Sequence, residues 1–167
     1  MAVAGARTRL GLATITRTSI NRNSGAYGGG VSIGFQASLT LVNDVIIANT
    51  ASTEGGGIDI GPRSDLTMTD TSVNRNNSAG DGGGIHTQGP SASAELTNDS
   101  VNANTAAGNG GGIFAGPESL ATLDSNTSVN RNRAAAGGGI YAAGGTVAVD
   151  GATVRRNVPD NCEPTAC

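Results

Sequence analysis

Apolar and polar positions alternate along most of this chain, in runs too short for helices. The pairs Leu39/Leu41, Leu66/Met68, Ala94/Leu96, Ala121/Leu123 and Val147/Val149 each enclose a single residue. A second set follows at Val31/Ile33, Ile58/Ile60, Ile85, Ile113 and Ile140, and a third recurs singly at Ile20, Ile46, Val73, Val101, Val129 and Val154. Period-two alternation in short stretches, broken by Gly, Asn, Asp and Pro, predicts strands. No window carries the 3.6-residue period of an amphipathic helix.

The three sets recur together. Gly-Gly-Gly begins at Gly28, Gly55, Gly82, Gly110 and Gly137, with spacings of 27, 27, 28 and 27 residues. Ahead of each triplet stands an Asn, in segments such as Ser-Val-Asn-Arg-Asn at 72–76 and 128–132. The series runs Asn23, Asn49, Asn76, Asn104, Asn132 and Asn157. Strands this short do not survive alone, so each repeat must pair with its neighbours as one turn of a solenoid. The expected fold is all-β: a right-handed parallel β-helix of about six coils, three short strands to a coil. Like residues would stack at about 4.8 Å per coil, burying ladders of Ile, Val and Leu. Each Asn is expected to occupy a tight turn in left-handed backbone and to bond the next coil. The glycines are expected to supply positive φ at a sharp bend. The organisation reads as an N-terminal edge or partial cap over 1–13, repeats over 14–157, and a C-terminal cap over 158–167.

Composition narrows the classes. The chain has 167 residues, enough for one domain with a core, and 27 of them are Gly at fixed rather than scattered places. All ten basic residues are Arg, the net charge is −3, and no basic cluster is present, which argues against nucleic acid as a partner. No stretch is apolar enough to span a bilayer, and residues 1–12 lack the apolar region of a signal peptide. The only cysteines, Cys162 and Cys167, lie together at the end, where a bridge between them would pin the last turn and favour an oxidising compartment. Two free thiols are the alternative.

The Asn-spacer-Gly-Gly-Gly-Ile repeat resembles the right-handed β-helix proteins of the pectate-lyase superfold. It is most similar to secreted bacterial repeat proteins and to the repeats of polymorphic outer-membrane proteins and autotransporter passengers. The ending Asn157-Val158-Pro159-Asp160-Asn161-Cys162 resembles the close of actinobacterial members. The resemblance spans residues 14–167 and implies the fold and a secreted or cell-surface location. It leaves the activity open, since that superfold hosts lyases, hydrolases, adhesins and tailspikes.

Candidate chemistry gathers in one column. Alternation turns outward the residue after each Gly-Gly-Gly-Ile/Val, namely Ser32, Asp59, His86, Phe114 and Tyr141. This column holds the only His and two of the four aromatics. Asp59 would bond and orient His86, and Phe114 and Tyr141 would continue as a flat apolar platform suited to a sugar ring. Coil-to-coil packing is the plainer explanation for the aromatics. Ser32 would lie two coils from His86, too far for a nucleophile–base contact. Lyases of this superfold hold calcium on carboxylates beside a basic residue. Here Arg22, Arg75, Arg131 and Arg156 are available, but Asp44, Asp70, Asp99 and Asp124 fall one to a coil without the paired carboxylates a calcium site needs. Those charges are expected to solvate the outside, and neither a cofactor nor a metal is expected. The favoured reading is a secreted or surface module that binds carbohydrate or another cell-surface polymer, or serves as an adhesin stalk, without catalysis. Solenoid ends stacking on one another would give end-to-end self-association. The alternative is a small polysaccharide- or ester-cleaving enzyme using Asp59 and His86.

Overall fold

The computed structural model describes residues 6–8 and 11–164 and shows an all-parallel β-solenoid without helices. Three long sheets run along the molecule beside one short sheet, and every strand except the first and last of its sheet pairs with strands one coil before and after it. The sheet following the glycine triplets has seven strands, among them Val31–Ile33, Ile58–Ile60, Ile85–Thr87, Ile113–Ala115 and Ile140–Ala142. The second sheet carries the apolar pairs, in strands such as Ala37–Val42 and Asp65–Thr69. The third is built on strands such as Ser72–Asn74 and Ser100–Asn102. The register is the one that the repeat demands: Ile58 pairs with Ile85, Leu66 with Leu39, and Val73 with Val101.

Two counts differ from the sequence reading. Six Asn markers delimit five turns, because a turn is the interval between markers. A coil also has up to four strands, since Ser24–Tyr27, Thr50–Glu54, Asn77–Ser78 and Thr105–Ala106 form a further sheet between the Asn and the glycines. These segments bury at most one small side chain each, Ala51, Ser78 or Ala106, among mostly polar residues, so hydrophobic alternation does not reveal them. Pairing also begins before residue 14, with Ala6–Thr8 on Val31–Ile33 and Gly11–Thr16 on Ala37–Val42. At the other end Cys162–Glu163 adds a strand to the first sheet. Cys162 is disulfide-bonded, while the expectation for Cys167 lies outside the described residues.

The core is the set of inward ladders. Ile20, Ile46, Val73, Val101 and Val129 are fully buried, as are Ile58, Ile85 and Ile113 beside them. Burying each such side chain contributes about 1.5–3 kcal/mol, and stacking spreads that gain along the axis. The Asn series forms a second, polar ladder inside the turn. Asn49 Nδ2 donates to Asn76 Oδ1 at 3.0 Å and to the Ile20 carbonyl at 3.0 Å. Asn76 and Asn104 repeat the pattern, and Asn157 continues it to Asn161. The left-handed backbone, however, belongs to the residue before each Asn: Arg22, Ala48, Arg75, Ala103, Arg131 and Arg156 have φ of 52–58°. The Asn side chain instead bonds the Asn amide and the apolar ladder carbonyl of the preceding coil, on either side of its left-handed residue.

A third ladder crosses the other turn. Thr18 N donates to Asp44 Oδ1 at 2.7 Å, Asp44 N to Thr71 Oγ1 at 3.1 Å, Thr71 N to Asp99 Oδ1 at 2.7 Å, and Asp99 N to Thr127 Oγ1 at 3.2 Å. Asp44 and Asp99 are buried, which corrects the expectation that these charges solvate the outside. Desolvation pushes the Asp99 carboxyl up to about 7, against the opposing pull of the Thr71 and Thr97 amides.

Candidate functional site: a groove around His86

Register places the outward column as the alternation predicts: Ser32 beside Asp59, Asp59 beside His86, His86 beside Phe114, and Phe114 beside Tyr141. His86 Nδ1 lies 2.8 Å from Asp59 Oδ1, a charge-assisted hydrogen-bond distance. Ser32 stays on the far side of Asp59, so the column holds no serine–histidine contact.

Outward does not mean exposed here. His86 is 1% exposed and Phe114 8%. The rings pile along the solenoid: His86 on Phe114 at 5.0 Å between centroids and 20° between planes, then Phe114 on Tyr141 at 5.8 Å and 9°. This differs from the flat platform expected of Phe114 and Tyr141, because each shared face is covered by the neighbouring ring. A coil spacing near 4.8 Å leaves parallel rings almost no choice but to stack.

A carboxylate that the alternation did not point to completes the cluster. Glu54 Oε2 lies 3.6 Å from His86 Nε2. Glu54 immediately precedes a glycine triplet, and with Tyr27, Asp81, Asn109 and Ala136 it forms a column of its own. The amides of Gly28, Gly55, Gly82 and Gly110 bond the carbonyls of Glu54, Asp81, Asn109 and Ala136, one coil on. The first glycine of each triplet turns the chain so that this column borders the next strand. Gly82 has φ of +64°, and a Cβ on it would stand 2.5 Å from His86 Cβ. Side chains are excluded there, which lets the two columns meet.

The result is a groove of about 310 Å³ with Glu54 and Asp81 on one wall and Gln88, Pro90, Pro117 and Glu118 on the other, and with His86 and Phe114 also lining it. Asp81 is fixed by the Asn109 amide, which donates to its Oδ1 at 2.6 Å. Glu54, Asp59 and His86 each offer a ligand atom within 4.8 Å of the others. The exposed arginines lie elsewhere: Arg131, Arg155 and Arg156 border a separate depression with Asn102 and Asn130. None of them lines the His86 groove. Asp65 lies in a different sheet, where it accepts the Ser93 hydroxyl at 2.6 Å.

Compared with known proteins, the chain matches no family model, no curated protein and no solved structure. Among the described residues, no helix is long and apolar enough to cross a membrane.

Proposed function

We propose that this chain is a secreted or cell-surface recognition module that binds carbohydrate in the His86 groove without cleaving it. The observation that carries the reading is the groove's mixed lining. The Glu54, Asp81 and Glu118 carboxylates and the Gln88 amide offer hydrogen bonds to hydroxyls, beside the apolar surfaces of Pro90, Pro117 and Phe114. Such a lining suits a neutral, hydroxyl-rich polymer, since carboxylates repel anionic ones. A burial of 99% favours His86 as part of the groove's frame over a base that must reach substrate. The disulfide at Cys162 supports an oxidising location. The resemblance to secreted and surface-exposed repeat proteins points the same way.

Glycan arrays probed with the wild-type chain and with Glu118→Gln and Gln88→Ala test this. Glu118 and Gln88 are exposed, so folding should persist. Neutral glycans should bind the wild type, and each variant should lose about tenfold in affinity, in line with about 1–2 kcal/mol per hydrogen bond. Equal binding by all three proteins would remove the groove from consideration. The second reading, a polysaccharide- or ester-cleaving enzyme, is favoured by one observation, the 2.8 Å contact of Asp59 with His86. Turnover of a polysaccharide or ester by the wild type, abolished in His86→Phe, would establish it in place of the first.

A further inference from the structure

The two nitrogens of the chain's only histidine face two carboxylates at different distances. Nδ1 to Asp59 is 2.8 Å, the length of a hydrogen bond with the proton on Nδ1. Nε2 to Glu54 is 3.6 Å, too long for a hydrogen bond. Among the described residues, Nε2 has no hydrogen-bond partner, although the side chain is buried, and Glu54 and Asp81 line the groove with it. With Nδ1 held on Asp59, Nε2 and a Glu54 carboxylate oxygen face each other across a gap that one cation placed between them would bridge. Two ligand atoms on one tetrahedral zinc, each at about 2.0–2.1 Å, stand about 3.4 Å apart. The observed separation needs only a slight adjustment of the Glu54 side chain, which is a quarter exposed and free to make it.

The geometry points to a divalent transition-metal site, zinc by preference, with His86 Nε2 and Glu54 as ligands and Asp59 as the carboxylate that holds the imidazole. The pattern carboxylate–His–metal fixes the tautomer and raises the basicity of the ligating nitrogen. Imidazole selects zinc, copper or nickel over calcium and magnesium, which prefer oxygen. With two protein ligands on the metal, its remaining positions open to the groove between Asp81 and Glu118, where water or a sugar hydroxyl can complete them. Among the described residues, no free thiol competes for the ion. The site shares the groove proposed for carbohydrate, yet its test uses the metal alone.

The experiment is calorimetric titration of Zn²⁺ into the full chain after chelation and dialysis, with Co²⁺ absorption reporting the coordination number. The expected result is one saturable equivalent, at least tenfold weaker in Glu54→Gln, which keeps shape and removes one ligand charge. His86→Phe, which preserves the ring stack, should abolish it. Asp59→Asn, checked for an unchanged metal-free Tm, should weaken it about tenfold to a hundredfold. Absence of a saturable equivalent, wild-type affinity in Glu54→Gln, or displacement of Zn²⁺ by equimolar Ca²⁺ would each overturn the assignment. Glycan binding that persists in chelator alongside a failed titration would sink the ion site and leave the carbohydrate reading standing.

Discussion

Single side chains in this molecule do work that a backbone cannot do alone. Asn76 Oδ1 accepts from both Asn49 N and Asn49 Nδ2, and its Nδ2 donates to Ile46 O and Asn104 Oδ1. Asn76→Ala would strand several buried partners, each costing about 1–3 kcal/mol. Chemical denaturation should show a loss of at least about 3 kcal/mol, whereas Asn23→Ala, at the half-exposed end of the ladder, should lose clearly less. Asp99 adds a pH signature. Below its ordinary 3.8, the carboxyl is protonated in the folded and unfolded chain alike. From there up to about 7 the folded chain keeps a proton that the unfolded chain releases, so rising pH lowers stability across that window and no further above it. Asp99→Thr, which installs the residue found at 71 and 127, should therefore gain on wild type between pH 4 and pH 8, by about 4 kcal/mol at most. Paired thermal melts at the two pH values measure it. The Asn ladder was legible in the sequence because one residue type recurs. The Asp44/Thr71/Asp99/Thr127 ladder was not, because what repeats is an oxygen atom in a fixed place, and two residue types supply it.

Strands and turns share the making of the groove. Alternation along Ile85–Thr87 and its neighbours was enough to place Asp59 against His86, since the register follows from matching apolar ladders. It was not enough to find Glu54, because alternation does not carry through a positive-φ glycine. The chain changes direction at Gly55, and which way the preceding side chain faces is decided by that bend. The same limit explains the ring pile: sequence put Phe114 and Tyr141 in one column, but the stacking angle is set by the coil spacing. Gly82→Ala should be costly on two counts, a left-handed backbone and a Cβ pressed on His86. Loss of at least about 2 kcal/mol in denaturant unfolding is expected. Gly11→Ala, where a Cβ meets nothing within 4 Å, should change stability by less than about 0.5 kcal/mol.

Taken as a whole, the molecule is a column of nearest-neighbour contacts, and its stability should be graded along the axis. Inner coils have neighbours on both sides. By contrast, Ala13 and Ile15 in the first strand of the second sheet, and Val147 and Val149 in its last, are only partly buried. Amide hydrogen exchange should therefore be slowest near Leu66, Met68 and Leu96 and fastest in Gly11–Thr16 and Thr146–Val149. Uniform protection from end to end would contradict a graded column. The period and the parallel sheets were legible because they are imposed by repetition. The depth of the groove was not, because it depends on Gln88–Pro90 and Pro117–Glu118, which lie in turns outside the alternating strands.

The outward column never repeats a letter from Ser32 to Tyr141, while the inward ladders hardly change theirs. Scaffold and message are thus written in separate alphabets along one thread. Excising a whole period would mend every inner ladder by sliding like onto like, yet it would bring Asp59 beside Phe114 if the lost turn were the one bearing His86. The architecture would tolerate the edit, and the site would be erased.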